Sequence, residues 1–145
     1  MPGKEVDEMK TALYLRKSRA EELGESTEDA LRRHRETLEE TARSMGLFIC
    51  GVYEEVASGE DLYARPEMLR LLRDVREGRY EAVLCMDVDR LGRGSMSQQG
   101  VILEAFQLAG VKIITPQKTY DLDNEMDEDY TELQTFFARK ELNLI

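Results

Sequence analysis

The sequence is poor in the residues that build several common kinds of site. It has two cysteines and one histidine in 145 residues. Cys50 and Cys85 lie inside apolar runs and are not spaced as metal ligands, so they read as reduced, buried thiols of a cytosolic protein. No motif ties the lone His34 to a serine, so no Ser-His-Asp grouping can be argued. There is no glycine-rich phosphate loop of the Walker or Rossmann type. No apolar run approaches the roughly 20 residues that span a bilayer. The first ten residues are a polar leader, too polar for a secretory signal. Positive charge is also short: 30 acidic residues against 20 basic ones give a net charge of −10. Bulk electrostatics therefore argue against non-specific nucleic-acid binding, whose affinity comes from concentrated Lys and Arg.

What is present is a soluble α/β pattern. Residues 11–15 form a short apolar run read as a first strand, and residues 28–45 carry Leu31, His34, Leu38, Ala42 and Met45 at helical spacing. Gly46 is a helix stop, and residues 47–53 read as a second strand. Residues 54–65 read as a loop. Pro66 then opens a helix whose face is Met68, Leu69, Leu72 and Val75, ended by Gly78. Residues 82–86 are continuously apolar, as in a strand buried on both faces of a parallel sheet. Ser95 to Gln98 resembles a capping box, and Val101, Ile102, Ala105, Phe106 and Ala109 mark the helix it starts. Gly110 stops that helix, and residues 111–115 give a further strand. The fold class is α/β, a mostly parallel central sheet flanked by helices. No internal repeat or interior linker interrupts it.

In such sheets function gathers beyond the carboxyl ends of the strands. The first strand ends into Arg16, Lys17, Ser18 and Arg19; the second runs toward Ala57, Ser58, Gly59 and Arg65; the third ends into Asp87, Asp89, Arg90 and Arg93. Of the 20 basic residues 14 are Arg, the residue suited to bidentate phosphate contacts. A hydroxyl, several guanidiniums and a carboxylate at one sheet edge form a constellation for handling a phosphate. Arg65 precedes Pro66, which biases it to extended backbone, and it stands at a helix start that favours an anion. Each arginine alone also reads as a surface ion pair. Asp89 reads equally as a group that holds Arg90 in place, and Asp87 with Asp89 as a weak magnesium signal, which the crowd of arginines opposes. His34 on an apolar helix face reads as a core residue or as an acid–base group. The acidic stretch 121–129 complements the dipole of a last helix, a metal or partner site being the other reading.

These residues resemble a known family. Tyr14-Leu15-Arg16-Lys17-Ser18, Val56-Ala57-Ser58-Gly59, Arg65-Pro66 and Asp89-Arg90-Leu91-Gly92-Arg93 are similar, in order and spacing, to the catalytic domain of the serine recombinases, the resolvase, invertase and large integrase type. The long loop after the second strand resembles the large serine recombinases of phages and conjugative elements. Residues 11–126 would be the catalytic core, and residues 127–145, with Phe136, Phe137 and Glu141, the start of the family's long oligomerisation helix. The resemblance implies that Ser18 attacks a DNA phosphodiester to give a 5′-phosphoserine and a free 3′-hydroxyl. It implies that Arg16, Arg65, Arg90 and Arg93 hold the phosphate and stabilise the transition state. Asp89 would orient an arginine or assist proton transfer at the leaving oxygen. Tyr14 and Ser58 would support the site, and Glu141 would lie near it. No metal, nucleotide or other cofactor is implied. The implied partners are double-stranded recombination sites and further copies of the chain, a dimer becoming a tetramer at synapsis, in the cytoplasm.

Two departures from the family pattern bear on this. His34 stands where the family often has a glutamine near the active site, which raises its functional reading. The DNA-binding region that follows the long helix is not among these residues. That accounts for the acidity and implies weak DNA binding, and an inactive fragment, without it. Two other readings remain at this level: a metal-dependent phosphohydrolase using Asp87 and Asp89, and a recombinase-like domain kept for assembly or regulation.

Overall fold

The computed structural model describes residues 9–17, 26–57, 62–87, 91 and 96–121. The elements are β1 (Met9–Lys17), α1 (Thr27–Met45), β2 (Leu47–Val56), a 3-10 turn (Leu62–Ala64), α2 (Pro66–Arg76), β3 (Ala82–Leu84), α3 (Met96–Ala109), β4 (Lys112–Ile114) and β5 (Thr119–Tyr120). They build a five-stranded sheet in the order β2-β1-β3-β4-β5. β1 pairs in parallel with β2 and with β3, β3 pairs in parallel with β4, and β5 is antiparallel to β4. The mostly parallel α/β reading holds. The antiparallel edge strand is an addition, because two residues carry no readable period. A turn in which Thr115 Oγ1 accepts from the Gln117 and Lys118 amides brings β5 back onto β4.

The direction of the chain decides the layers. From β1 it moves outward to β2, then crosses back over β1 to reach β3, and continues to β4. Right-handed crossovers place helices on opposite faces when the direction reverses. Accordingly, among the described helices, α1 alone covers one face, packing Leu31, Leu38 and Ala42 on Leu13, Leu15, Leu84 and Ile114. Helices α2 and α3 share the other face, with Met68, Leu71, Leu72, Ile102 and Phe106 over Ala12, Tyr14, Tyr53 and Val83. In open α/β sheets, such a reversal marks the end of the sheet where ligands collect.

Helix α1 begins where Ser26 Oγ accepts from the Asp29 amide at 3.0 Å and ends at Gly46, whose φ of 72° suits glycine. Helix α2 starts with Pro66 in its first turn. Its buried face is Met68, Leu71, Leu72 and Val75, so Leu69 faces out where the sequence reading put it inward. Met45 and Ala109 likewise lie exposed in the last turns of their helices. β1 is longer than the sequence reading because Arg16 and Lys17 continue it under cover of both layers, at 1% and 2% exposure. β2 extends to Val56, and the 3-10 turn occupies part of the expected loop.

One irregularity in β2 has consequences for the site. Thr11 pairs with Ile49 and Ala12 with Gly51, so Cys50 is an extra, bulged residue. It is exposed, which corrects the expectation of a buried thiol; Cys85 is buried as expected. Beyond the bulge the strand's parity flips. Tyr53 comes opposite Tyr14 and Glu55 opposite Arg16, on the face that α2 covers.

Gly51, next to the bulge, admits a neighbour that a side chain would exclude: a methyl group there would overlap the Tyr80 hydroxyl. That hydroxyl lies 2.6 Å from the Tyr53 hydroxyl, which donates to Asp74 Oδ2 at 2.5 Å. Arg73 donates to Asp74 Oδ1 at 3.2 Å. Burial pushes the Asp74 carboxyl up, but the Tyr53 hydroxyl, Arg73 and Arg79 outweigh it and hold the group below its ordinary value. A carboxylate held low adds stability above its unfolded pKa, and that contribution is lost as pH falls through the folded value. Asp74→Asn is expected to cost about 2 kcal/mol at neutral pH. The deficit should shrink as the wild-type carboxyl protonates below about pH 4. Urea midpoints of both proteins across the acid range check this.

Candidate active site

The described site lies where β1, β2 and the start of α2 meet. Helix α2 has Pro66 at its first position, so its first free amides belong to Glu67 and Met68. The preceding residue, Arg65, makes no side-chain cap. The cap comes from another strand instead. Glu55 Oε1 accepts from the Glu67 amide at 3.0 Å, and Oε2 from the Met68 amide at 3.2 Å. A carboxylate at a helix N-terminus also meets the positive end of the helix dipole.

This arrangement leaves the Arg65 side chain to turn inward, where it is fully buried. Its Nε and Nη2 donate to the Tyr14 hydroxyl at 3.3 and 3.0 Å. Nη2 also donates to the Leu91 carbonyl at 3.0 Å. The guanidinium stands 5.5 Å from the Tyr14 ring centroid, and its Nε 3.9 Å from Glu55 Oε2. Tyr14 completes the frame by donating to Glu55 Oε2 at 2.5 Å. Burying a guanidinium is costly without a counter-charge and acceptors. Glu55, Tyr14 and the Leu91 carbonyl provide both.

Arg16 lies on the same sheet face, two residues along from Tyr14, and is buried. Its Nη1 donates to the Ala57 carbonyl at 3.0 Å, and the Ala57 amide donates to the Lys17 carbonyl at 3.0 Å. The ends of β1 and β2 are thus tied together immediately before Ser18 and Ser58. Leu91, the described residue of the 89–93 motif, brings that motif's backbone onto Arg65.

The structure therefore joins Tyr14 and Arg65 and places Arg16 on the same sheet face, three of the residues singled out in the sequence. His34 is buried with the core face of α1, in the layer across the sheet from Arg65 and Tyr14. Asp87 is exposed just beyond β3. Ser18, Ser58, Asp89, Arg90, Arg93 and Glu141, with the last helix and most of the acidic stretch, lie outside the described residues. Among the described residues, no group of three or more His, Cys, Asp or Glu is placed to hold a metal, and no helix is long and apolar enough to cross a membrane. Glu55 is the residue sequence reasoning missed. Gly51 inside the strand was the available signal, since an interior glycine often marks a bulge.

Two buried guanidiniums, Arg16 and Arg65, thus stand near the carboxyl ends of β1 and β2; arginines are the side chains suited to a phosphate and to negative charge that develops on it. The wider comparisons agree in class. The family model for the resolvase N-terminal domain matches residues 11–145, and the chain belongs to that family. It is 30% identical over 91 residues, 63% of its length, to a resolvase of Escherichia coli. The chain spans about 40% of that relative's length. Among solved structures it is similar to the C-terminal catalytic domain of ISC1926 TnpA, an IS607-like serine recombinase, with 26% identity and a TM-score of 0.63 over 86% of this chain and 76% of the other. The N-terminal catalytic domain of TP901-1 integrase shares the fold, with 24% identity and a TM-score of 0.67 over 93% and 98% of the two chains. So does a resolvase family site-specific recombinase from Streptococcus pneumoniae, with 22% identity and a TM-score of 0.66 over 94% and 89%.

Burial pushes the Tyr14 hydroxyl far above the ordinary phenol value of 10.0, with Arg65 opposing and Glu55 adding to the shift. Tyr14 therefore stays a protonated donor at physiological pH, neither nucleophile nor base. A folded pKa raised in this way gives stability that is complete below the unfolded value and lost as pH rises through the folded one. Absorbance titration of the native protein is expected to show Tyr14 silent beyond the pH at which free phenols ionise. Tyr14→Phe should leave the native titration curve unchanged and remove one phenol from the curve of the unfolded chain.

Proposed function

We propose that this chain is the catalytic domain of a site-specific DNA recombinase of a phage or other mobile element, with Ser18 as its nucleophile. The observation that carries the reading is the Arg65 guanidinium, buried and fixed by Tyr14, Glu55 and the Leu91 carbonyl at the edge where the Ser18 strand ends. The Ser18 Oγ attacks the scissile phosphorus. A P–Oγ bond forms, the P–O3′ bond breaks, and the serine proton is lost while the leaving 3′-oxygen gains one. Arg16, Arg65, Arg90 and Arg93 hold the phosphate and offset the charge that grows on its oxygens. Asp89 orients an arginine or assists the proton transfer. Glu55 acts through Tyr14 and Arg65 as a positioning residue, and Ser58 has a supporting role in this reading. The link energy stays in the phosphoserine, so attack by the 3′-hydroxyl of a partner strand reverses the step. That reversal needs no nucleotide.

Residues 127–145 begin the oligomerisation helix in this reading, and Glu141 on it approaches the site. Exchange between duplexes calls for more than one copy, a dimer becoming a tetramer at synapsis in the cytoplasm. A separate DNA-binding region supplies most phosphate contacts, which reconciles the net charge of −10 with a DNA substrate.

The test joins the chain to a sequence-specific DNA-binding module and offers plasmid with paired module sites. A covalent protein–DNA adduct is expected under denaturing conditions. It should persist with chelator present and disappear in Ser18→Ala. Strand cleavage that survives Ser18→Ala and requires added magnesium would overturn the mechanism in favour of carboxylate-bound metal at Asp87 and Asp89.

A further inference from the structure

Arg65 is carried by a short segment whose own start is held from a distant element. Leu62 opens the 3-10 turn and is fully buried, so its amide needs an acceptor inside the protein. The acceptor is the Gln98 side chain on the first turns of α3, with Oε1 2.7 Å from the Leu62 nitrogen. The Leu62 carbonyl in turn accepts from the Arg65 amide at 3.0 Å. A second tie runs between the same two stretches of chain, from Arg65 Nη2 to the Leu91 carbonyl at 3.0 Å.

One tie fixes a distance, whereas two fix a distance and an orientation. Leu91 lies within the 89–93 motif, and α3 begins just after it. Both ties therefore join the Leu62–Arg65 turn to the stretch of chain that carries Leu91 and Gln98. We propose that Gln98 is a positioning residue for the phosphate site: it holds the Leu62–Arg65 turn against the stretch that carries Leu91, and so fixes the Arg65 guanidinium that would meet the phosphate. This rests on the recombinase reading given above. Gln98 touches no reacting atom. Its part is geometric, and displacement of a positioned group by about 1 Å is enough to cost large factors in rate.

The side chain is half-buried, which allows substitution without emptying the core. Gln98→Met keeps its length and apolar stem and removes the acceptor. Gln98→Glu keeps an oxygen for the Leu62 amide. On the DNA-binding fusion, well below its melting temperature, Gln98→Met is expected to slow adduct formation about tenfold or more. Gln98→Glu should restore most of that loss, which a merely stabilising role would not require. In the 145-residue chain without DNA, Gln98→Met should speed exchange of the Leu62 amide and shift the Arg65 Nε–H resonance, and Gln98→Glu should do neither. A Gln98→Met protein that leaves the Arg65 resonance in place, or cleaves at the wild-type rate, overturns the proposal. If the unsubstituted fusion makes no Ser18-dependent adduct, the recombinase reading fails instead, and the Arg65 resonance still decides the role of Gln98.

Discussion

A guanidinium buried to the last atom needs negative charge and acceptors around it, and much of this site is organised to supply them to Arg65. Glu55 is the centre of that arrangement. Its carboxylate caps helix α2 through the Glu67 and Met68 amides, receives the Tyr14 hydroxyl, and stands near the Arg65 guanidinium. One side chain thus ties a strand, a helix start and a cation together. The capping sets the direction of α2. The ion pair and the Tyr14 bridge set the arginine. Loss of one partner would leave the others buried and unsatisfied, so these groups stand or fall as a unit.

The topology explains why the frame lies at this edge. The chain reverses direction beside β1, the kind of switch point beyond which sites gather in open α/β sheets. Both Arg16 and Arg65 stand on the face shared by α2 and α3. Lower down that same face, Tyr53, Tyr80 and Asp74 form a second buried polar cluster against Gly51. The two clusters are neighbours in one layer, since Tyr14 of the first pairs with Tyr53 of the second. The first carries the catalytic reading; in the second, Arg70 also stacks 4.2 Å from the Tyr53 ring centroid.

Much of this was legible in the residues. Pro66 announced its helix, Gly46 and Gly110 stopped theirs, and Tyr14, Arg16 and Arg65 stood out as candidates. The unreadable part has a common physical cause. A side chain's face in a strand depends on its parity, and the bulge at Cys50 resets that parity in β2. Read without the bulge, Glu54 and not Glu55 falls opposite Arg16, and Cys50 falls inside. The same blindness hid the cap of α2. A helix capped by its own N-cap residue announces itself in sequence, whereas one capped from a neighbouring strand does not. His34 shows the converse: its register on an apolar face was clear, yet only the layer order shows that the sheet stands between that face and Arg65.

Glu55, Tyr14 and Arg65 form one coupled unit. The decisive experiment is a double-mutant cycle with Tyr14→Phe and Glu55→Gln, read as unfolding free energy in urea. Coupling predicts an interaction energy of about 1–3 kcal/mol between the two positions, so that the double variant loses less than the sum of the single ones. Additive losses would mean that the hydroxyl and the carboxylate contribute separately, and that nothing in the fold holds Arg65 in the way described.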